Sequence, residues 1–267
     1  MKTLLFNTKC CLLFGLLFLG GSLKAQSSDS AVVSPKPTIE TTQPKQQDCH
    51  KFRPLSCAIP ALMLTYGIVS LENHELVKLN HKVKEEVWEE GTQRSARLDD
   101  YIQYSPAIAV YALNLAGVKG KNNFRDRTMI YAMSNLFAYS MVYPLKKLTH
   151  ELRPDGSSYE SFPSGHTAEA FLSAEFLRQE YKDVSPWYGL AGYTVAAATG
   201  FLRVYNNKHW LSDVIAGAGI GIVSAKLAYY VYPYIQKKIF RKTRAHAFIM
   251  PYYQGTQGGF SMVYSFH

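Results

Sequence analysis

The sequence predicts an all-α helical bundle with a short β-hairpin at its C-terminal end. Apolar and small residues recur with helical spacing from Leu98 to about Arg244, and clusters of Gly, Pro and charged residues separate these stretches. The tail differs, because aromatic residues partly alternate with other residues around QGTQGG, as in a two-stranded hairpin. With 47% hydrophobic and 18% charged residues, the 267-residue chain is able to bury a sizeable core.

The first 25 residues predict a signal peptide for export. MKTLLFNTK carries positive charge, CLLFGLLFLGG is apolar, and Leu23-Lys24-Ala25 ends on the small residue of a cleavage site. An uncleaved anchor helix is the alternative, although the apolar run is short for a membrane span. Residues 26–54 are rich in Ser, Thr, Pro, Gln and Lys, which predicts a flexible linker. We therefore expect an exported protein of a bacterial-type cell envelope that faces the periplasm.

Two cysteines, Cys49 and Cys57, remain once the signal is removed. In an oxidising compartment they are able to form a disulfide, and two free thiols are the alternative. Their C-x7-C spacing is not a recognised metal-binding pattern, so no metal site is expected there.

Residues 55–97 precede the core and contain two helices of different character. LSCAIPALMLTYGIVSLE at 55–72 is apolar, which predicts a helix of the core or one that touches a membrane. ENHELVKLNHKVKEEVWEE at 72–90 is amphipathic, with charges of both signs on a solvated face. His74 and His81 lie among these surface charges, and we assign no function to them.

The core is expected at residues 98–244, followed by the hairpin tail at residues 245–267. The small residues of AGYTVAAATG permit close packing between helices. The helices of the core are predicted at 104–118, 128–148, 164–181, 186–203 and 210–236.

The charge of the chain favours an anionic partner. Lys and Arg number 29 against 20 Asp and Glu, a formal net charge of +9. Nucleic acid, an anionic membrane surface and a phosphorylated substrate all suit such a charge. Because no familiar nucleic-acid motif is present, we expect phosphate or a membrane, and no nucleic acid.

Cations are concentrated at the predicted helix ends. LKKLTHELRP places Lys146 seven residues before Arg153, so that both are expected on one side of a helix that Pro154 ends. FLRVYNNKHWLSD places Arg203 at another helix end. His209 and Asp213 follow with an i, i+4 spacing, which allows the carboxylate to accept a hydrogen bond from the imidazole.

Between these stretches, SFPSGHTAEA begins a helix. Ser164 and Gly165 stand at its first turn, where free backbone N–H groups and the helix dipole favour an anion. Gly165 allows the backbone to approach that anion closely, Ser164 adds a hydroxyl donor, and His166 follows directly.

Together these residues predict a phosphate pocket with covalent chemistry. Three cations and helix-start amides neutralise the phosphoryl oxygens. One histidine attacks phosphorus, a second protonates the leaving oxygen, and a carboxylate orients the first. This chemistry requires no metal ion and no cofactor.

Three motifs carry a family resemblance: Lys146-x6-Arg153-Pro154, then Pro163-Ser164-Gly165-His166, then Arg203-x5-His209-x3-Asp213. Their order and spacing resemble the signature of the type 2 phosphatidic acid phosphatase superfamily, which also contains class A acid phosphatases and vanadium haloperoxidases. The resemblance covers the helical stretch from about residue 98 to residue 236 and implies an all-α core. One departure is Leu202, where the family usually has a serine that would add a hydrogen bond to phosphate.

The resemblance also implies a role for each site residue. His209 is the nucleophile that becomes phosphohistidine, Asp213 orients it, and His166 is the general acid that later acts as base towards water. The phosphate-binding residues implied are Lys146, Arg153, Arg203, Ser164 and the Gly165 amide.

Substrate and location stay open at this stage. A phosphorylated envelope lipid (phosphatidate-like, a polyprenyl diphosphate or a lipid A phosphate) and a soluble phosphomonoester present the same phosphoryl group. Apolar stretches of about 15–18 residues favour a soluble or peripheral bundle. The basic loop KGKNNFRDR and the basic KKIFRKTR segment instead fit an integral bundle whose motifs face the periplasm. The further alternatives are a soluble acid phosphatase, a vanadium haloperoxidase and a non-enzymatic envelope protein.

Overall fold

The helical bundle predicted from the sequence is confirmed in the computed structural model, which describes residues 54–87, 97–240, 246–254 and 257–265. Over these residues a 3₁₀ turn at Pro54–Cys57 is followed by eight α-helices and two β-strands. The helices are α1 (Ala58–Val69), α2 (His74–Val87), α3 (Asp99–Ile102), α4 (Ser105–Leu115), α5 (Phe124–Thr149), α6 (Gly165–Tyr181), α7 (Pro186–Tyr205) and α8 (Leu211–Phe240). The strands are β1 (His246–Gln254) and β2 (Gln257–Ser265).

Side-chain caps fix where three of the long helices begin. Asn123 precedes α5 and accepts a hydrogen bond from the backbone N–H of Asp126, at 2.9 Å. Ser164 precedes α6 and accepts from the N–H of Thr167, and Ser185 precedes α7 and accepts from the N–H of Trp187. Such caps satisfy N–H groups that the first turn leaves unpaired. All five core helices begin and end within about one helical turn of their predicted limits.

Arg153 does not lie on the helix that carries Lys146, contrary to the prediction from their spacing. Helix α5 ends at Thr149, one residue after its predicted limit, and His150 takes a left-handed conformation with φ 48°. A residue in the left-handed region ends a helix. Pro154 is therefore not the stop, and Arg153 lies in the loop that follows α5.

Helix α6 lies at the centre of the bundle and packs against α4, α5, α7 and α8. Its Ala170, Leu172, Ala174 and Phe176 side chains are fully buried. Phe176 joins an apolar cluster to which α4, α5 and α8 also contribute, among them Val110, Ile130 and Tyr232. The α6 helix is thus held on several sides, which gives the residues at its N-terminus a rigid support.

Two glycines allow α8 to approach α6 closely. A Cβ atom at Gly221 would lie 2.2 Å from the carbonyl oxygen of Ala168, and one at Gly217 would lie 2.5 Å from that of Ser164. Both distances are shorter than real carbon–oxygen contacts, so only glycine fits without a shift of the backbone. This contact joins the start of α6 to α8, the helix that carries Asp213.

The predicted C-terminal hairpin is present. Strands β1 and β2 pair antiparallel from His246–Ser265 to Gln254–Gln257. The predicted signal peptide at 1–25, the linker at 26–54 apart from Pro54, and Cys49 lie outside the described residues. The export signal and the Cys49–Cys57 pairing therefore stay predictions.

One helix among the described residues is long and apolar enough to cross a membrane. It is Leu211–Lys238 within α8, although 61% of its most apolar window is buried inside the protein. The segments Leu55–Val69 and His74–Val87 pass the same criterion only as a pair, and they are bent by 94° relative to each other.

Candidate active site

The three sequence motifs meet around His209, which is 2% exposed. His209 lies two residues before α8, and Asp213 lies in the first turn of that helix. The Nδ1 atom of His209 and the Oδ2 atom of Asp213 are 3.3 Å apart. The i, i+4 pair predicted from the sequence is therefore present, but the loop and not the helix carries the histidine. With Nδ1 facing the carboxylate, Nε2 is the ring nitrogen available for attack on a substrate.

Asp213 is held by hydrogen bonds from two other donors. Its Oδ2 atom accepts from the hydroxyl of Ser161 at 2.5 Å and from the backbone N–H of Trp210 at 3.0 Å. Burial raises the pKa of Asp213 to about 6, although both hydrogen bonds act to lower it. The carboxylate is consequently ionised at neutral pH and loses its charge in mildly acidic solution.

Burial holds the pKa of His209 well below its ordinary value. The positive charges of Arg203, Lys146 and Arg153, followed by His166, lower it further. The imidazole is therefore neutral at pH 7, which is the form that a nucleophile requires. Residues of all three motifs therefore act on the charge of His209. The three motifs thus meet at one site.

Lys146 reaches from α5 to the loop that leads into α6. Its Nζ atom donates to the carbonyl oxygen of Glu160 at 2.6 Å and approaches that of Ser161 at 3.5 Å. Burial lowers the pKa of Lys146 to about 8, and the charge of Arg153 lowers it as well, against the opposite influence of Asp213. The ammonium group is thus charged at neutral pH but loses its proton in mild alkali.

The two arginines each keep a buried donor. The Nε atoms of Arg153 and Arg203 are buried and, among the described residues, have no hydrogen-bond partner. Arg203 is otherwise held by Asp99, whose Oδ2 atom accepts from its Nη1 at 2.5 Å. A buried donor without a partner costs about 1–3 kcal/mol. Two such donors beside His209 therefore favour an anion at this place.

Ser164 and Gly165 form the start of α6 as predicted. The Oγ atom of Ser164 accepts from the backbone N–H and the hydroxyl of Thr167, at 3.4 and 2.9 Å. The backbone N–H of Ser164 donates to the carbonyl oxygen of Asp213 at 3.0 Å, which joins the second motif to the third. Nothing lies within 4 Å of a Cβ atom built on Gly165, so its backbone faces open space.

His166 follows in the first turn of α6 and has a carboxylate partner. Its Nε2 atom lies 2.9 Å from Oδ1 of Asp100. Burial and the charge of Arg203 lower the pKa of His166, whereas Asp100 and Asp99 act in the opposite direction.

The structure thus brings together every residue that the motifs predicted for the site. Three further contributors were missed from the sequence: Asp99, Asp100 and Ser161. Ser161 stands two residues before Pro163 and was visible as a possible hydroxyl donor. The two aspartates lie more than 60 residues before His166, so that no spacing rule connects them to the site.

Helix α2 contacts the flank of the site, against expectation for a helix with a purely solvated face. The ring of His81 packs against Trp210, the residue after His209, with centroids 4.8 Å apart. The side chain of Asn80 donates to the hydroxyl of Ser212 at 2.9 Å and accepts from its backbone N–H at 3.2 Å. His81, to which we assigned no function, therefore packs against the turn that carries His209.

Asp99, Asp100 and His166 are the residues with metal-ligand geometry in the described part of the chain, with ligand atoms within 4.8 Å of one another. Each of the three already has a protein partner. Asp99 is paired with Arg203, and Asp100 and His166 are paired with each other. The side chains of this group are therefore held by an ion pair and by a hydrogen bond between Asp100 and His166.

A cavity of about 150 Å³ lies beside the start of α6, between α5 and α6. Its walls are mostly apolar, with Glu169 and Asn135 as the polar exceptions. The lining residues are Asn135, Ala138, Tyr139, Val142, Gly165, Ala168 and Glu169.

Comparison with known proteins agrees with this arrangement. Residues 127–237 match the family model of the PAP2 superfamily, a range that includes all the predicted site residues. The chain is 40% identical over 136 residues to a lipid A 1-phosphatase of Porphyromonas gingivalis. That match covers 51% of this chain and 31% of the relative, so the chain spans about a third of that protein's length.

Two solved structures are similar at 19% sequence identity. The alignment with a crystal structure of Aquifex aeolicus LpxE covers 93% of that chain and 57% of this one, with a TM-score of 0.41. The alignment with a crystal structure of a transmembrane PAP2-type phosphatidylglycerolphosphate phosphatase from Bacillus subtilis covers 99% of that chain and 69% of this one, with a TM-score of 0.45. Residues 127–237, which carry the three motifs, are thus similar to the PAP2 superfamily, whose family model matches a little under half of this chain.

Proposed function

We propose that the protein is a phosphatase that removes a phosphate group from a phosphorylated lipid of the cell envelope through a phosphohistidine intermediate. The observation that carries the proposal is the geometry around His209. His209 is buried and neutral, the positive charges of three cations act on it, and Asp213 lies 3.3 Å from its Nδ1 atom.

Each residue has a distinct part in the proposed reaction. Nε2 of His209 attacks phosphorus, a P–N bond forms, and the P–O bond to the leaving alcohol breaks. His166 gives its proton to the departing oxygen. The Asp213 carboxylate stabilises the positive charge that develops on His209. In the second half, water attacks phosphorus with His166 as base, and the P–N bond breaks to release inorganic phosphate.

The charge of the pocket suits the transition state. Lys146, Arg153 and Arg203 supply positive charge, and the buried Nε donors of the two arginines add directed hydrogen bonds. The backbone N–H groups at the start of α6 add the positive end of a helix dipole. Because side chains and backbone provide the charge, the proposed reaction proceeds without a metal ion.

The similarity to a lipid A 1-phosphatase suggests the substrate class. The matched segment is 40% identical, and we propose that this chain acts on lipid A 1-phosphate or a phosphorylated lipid of related chemistry. Contact with a membrane is part of the proposal, because a lipid phosphate reaches the pocket from a bilayer surface.

A phosphate-release panel tests the proposal. The substrates are lipid A carrying a 1-phosphate, phosphatidate, a polyprenyl diphosphate and p-nitrophenyl phosphate, each measured with and without EDTA. We expect the fastest release from a lipid phosphate, unchanged by EDTA. The variants His209→Ala and His166→Ala should lose activity by on the order of a thousandfold. The exposed His74 provides a control, since His74→Ala removes an imidazole from the first residue of α2, which faces solvent. Equal turnover by wild type and both site variants would overturn the mechanism.

A further inference from the structure

Helix α3 places two adjacent carboxylates against two different parts of the site. Asp99 is 1% exposed and accepts from Nη1 of Arg203 at 2.5 Å and from the side-chain amide of Asn206 at 3.1 Å. Asp100 turns the other way, and its Oδ1 atom lies 2.9 Å from Nε2 of His166. The three sequence motifs include neither aspartate, and both lie outside the matched segment at 127–237.

The position of Asp100 is fixed on both of its oxygens. Oδ1 faces His166, and Oδ2 lies 3.3 Å from Nε of Arg97 on the solvent side. The Asp100 and His166 side chains are 34% and 33% exposed, so the pair lies at the mouth of the site and is only partly screened by water. Arg97 is 82% exposed, and an ion pair with so exposed a partner contributes little to stability. The contact between Asp100 and His166 is therefore the one that matters for the site.

Charges of both signs face His166. Arg203 of α7 acts on it as a positive charge, and Asp100 and Asp99 of α3 act as negative charges. His166 itself acts on His209, in the turn before α8, and lowers its pKa. Burial and Arg203 make the imidazolium form less stable. The two aspartates oppose this effect, and of the two only Asp100 is hydrogen-bonded to the ring.

We propose that Asp100 is a positioning residue for the general acid His166: it fixes the orientation of the imidazole and stabilises its protonated form. The proposal rests on the proposed function, in which His166 protonates the leaving group. With Nε2–H donated to Asp100, Nδ1 is the ring nitrogen that exchanges a proton with the substrate.

The proton balance of the reaction then follows. As the P–O bond breaks, the leaving oxygen takes the proton from Nδ1 of His166, and the imidazole becomes neutral while Nε2–H stays on Asp100. In the second half, the attacking water gives its proton to Nδ1, and the protonated ring is restored beside the carboxylate. Asp100 itself stays ionised throughout, as an orienting carboxylate does in a catalytic triad.

Two substrates with different leaving groups test this role. p-Nitrophenolate leaves without help from an acid, whereas the alkoxide of an alkyl phosphate requires a proton. We expect Asp100→Asn and Asp100→Ala to lower kcat/KM for the alkyl phosphate by about tenfold or more, with less than about a threefold change in kcat/KM for p-nitrophenyl phosphate, because kcat/KM reports the step that forms the phosphoenzyme and not the water step that both substrates share. An equal loss with both substrates, or no loss with either, would overturn the proposal. Glu75→Gln is the matched control, because Glu75 is an exposed carboxylate paired with Lys78 on α2.

The pH dependence provides a second readout. Without the negative charge of Asp100, His166 loses its proton at lower pH, so the basic limb of kcat/KM for the alkyl phosphate should move to lower pH in Asp100→Asn. NMR titration of the His166 imidazole follows the same change without turnover. A lower titration midpoint in Asp100→Asn supports the proposal even if the wild type releases no phosphate, in which case the proposed function alone fails. An unchanged midpoint in a folded variant overturns it.

Discussion

Lys146 is the residue of the site whose charge is most sensitive to mild alkali. Its pKa is lowered to about 8, first by burial and then by Arg153. Since a lysine is neutral above its pKa, the pocket loses one of its three cations as the pH rises through about 8. We therefore predict that kcat/KM of the wild type falls between pH 7 and pH 9, mainly through a rise in KM. Steady-state kinetics with p-nitrophenyl phosphate measure both.

Lys146→Arg is the matched variant for this prediction. A guanidinium group stays charged across the whole range, so the alkaline rise in KM should disappear in this variant even if its activity is lower. A wild-type KM that stays constant from pH 7 to pH 9 contradicts the role given to Lys146.

Ser161 controls the acidic side of the profile through Asp213. Its hydroxyl donates to Oδ2 of Asp213 at 2.5 Å and lowers a pKa that burial raises to about 6. Removing the hydroxyl raises that pKa further, so the acidic limb of kcat should move to higher pH in Ser161→Ala. Loss of a hydrogen bond to a charged group also lowers kcat by about tenfold.

Ser158→Ala is the control for the Ser161 variant. Ser158 lies in the same loop, and within the described residues its hydroxyl is buried without a hydrogen-bond partner. Its removal should leave the acidic limb in place. If the two serine variants shift the profile equally, the effect belongs to the loop and not to the contact with Asp213.

That the three motifs meet was predictable from their residues, because the structure brings all eight predicted positions together around His209. The residues that hold these side chains in place were not predictable from the sequence. Asp99 contacts Arg203 and Asp100 contacts His166. Both contacts exist only because α3 packs beside the site. A pair of adjacent acids before an apolar helix has no local signal that distinguishes it from a solvated turn.

At the scale of elements, the crossing of α6 and α8 depends on glycine. A Cβ atom at Gly221 meets the backbone carbonyl of Ala168 at 2.2 Å, which cannot be relieved by a side-chain rotation. We predict that Gly221→Ala lowers the free energy of unfolding by about 1–3 kcal/mol, seen as a lower Tm in thermal unfolding followed by circular dichroism.

Gly192→Ala is the matched substitution on α7. The atom nearest to its Cβ would be the terminal Cδ2 atom of Leu177 at 3.1 Å, and a shift of a few tenths of an ångström relieves that contact. The cost should therefore be smaller than at Gly221. Equal Tm values for the two variants would show that the close approach of α8 to α6 is not what limits stability.

The helices were easier to predict than the path of the chain between them. Periodicity identifies α4 to α8 because each has buried residues at helical spacing. The end of α5 was predicted to within one residue, but Arg153 was wrongly placed on the same helix, since the left-handed conformation of His150 depends on the loop that follows and not on a recognised stop residue. Arg153 consequently reaches the site from a loop, held by the hydrogen bond from its backbone N–H to the carbonyl oxygen of Ser158 at 3.0 Å.

At the scale of the whole molecule, large apolar side chains face outward. On α1, Ile59 and Leu62 are 72% and 68% exposed, and on α5 Leu136 and Tyr139 are 63% and 65% exposed. Exposed apolar surface of this kind marks sites of membrane or protein contact. We predict that the protein binds phospholipid vesicles and that replacing Ile59 and Leu62 by Glu weakens this binding by about tenfold.

Vesicle flotation measures the binding, and turnover of p-nitrophenyl phosphate in the same samples controls for the fold. The conservative double variant Ile59→Val/Leu62→Ile should bind vesicles as the wild type does. Vesicle binding that is the same in the Glu variant and the wild type would contradict a membrane role for this face of α1.

The most direct test of the whole account is the covalent intermediate. Rapid quenching of the protein with phosphorus-labelled substrate, followed by peptide mapping under alkaline conditions, shows where the phosphoryl group is attached. We predict a phosphoramidate on His209 that accumulates further in His166→Ala with p-nitrophenyl phosphate, because that variant lacks the base for the water step, and that is absent from His209→Ala. Label on another residue, or label that persists in His209→Ala, would contradict the account.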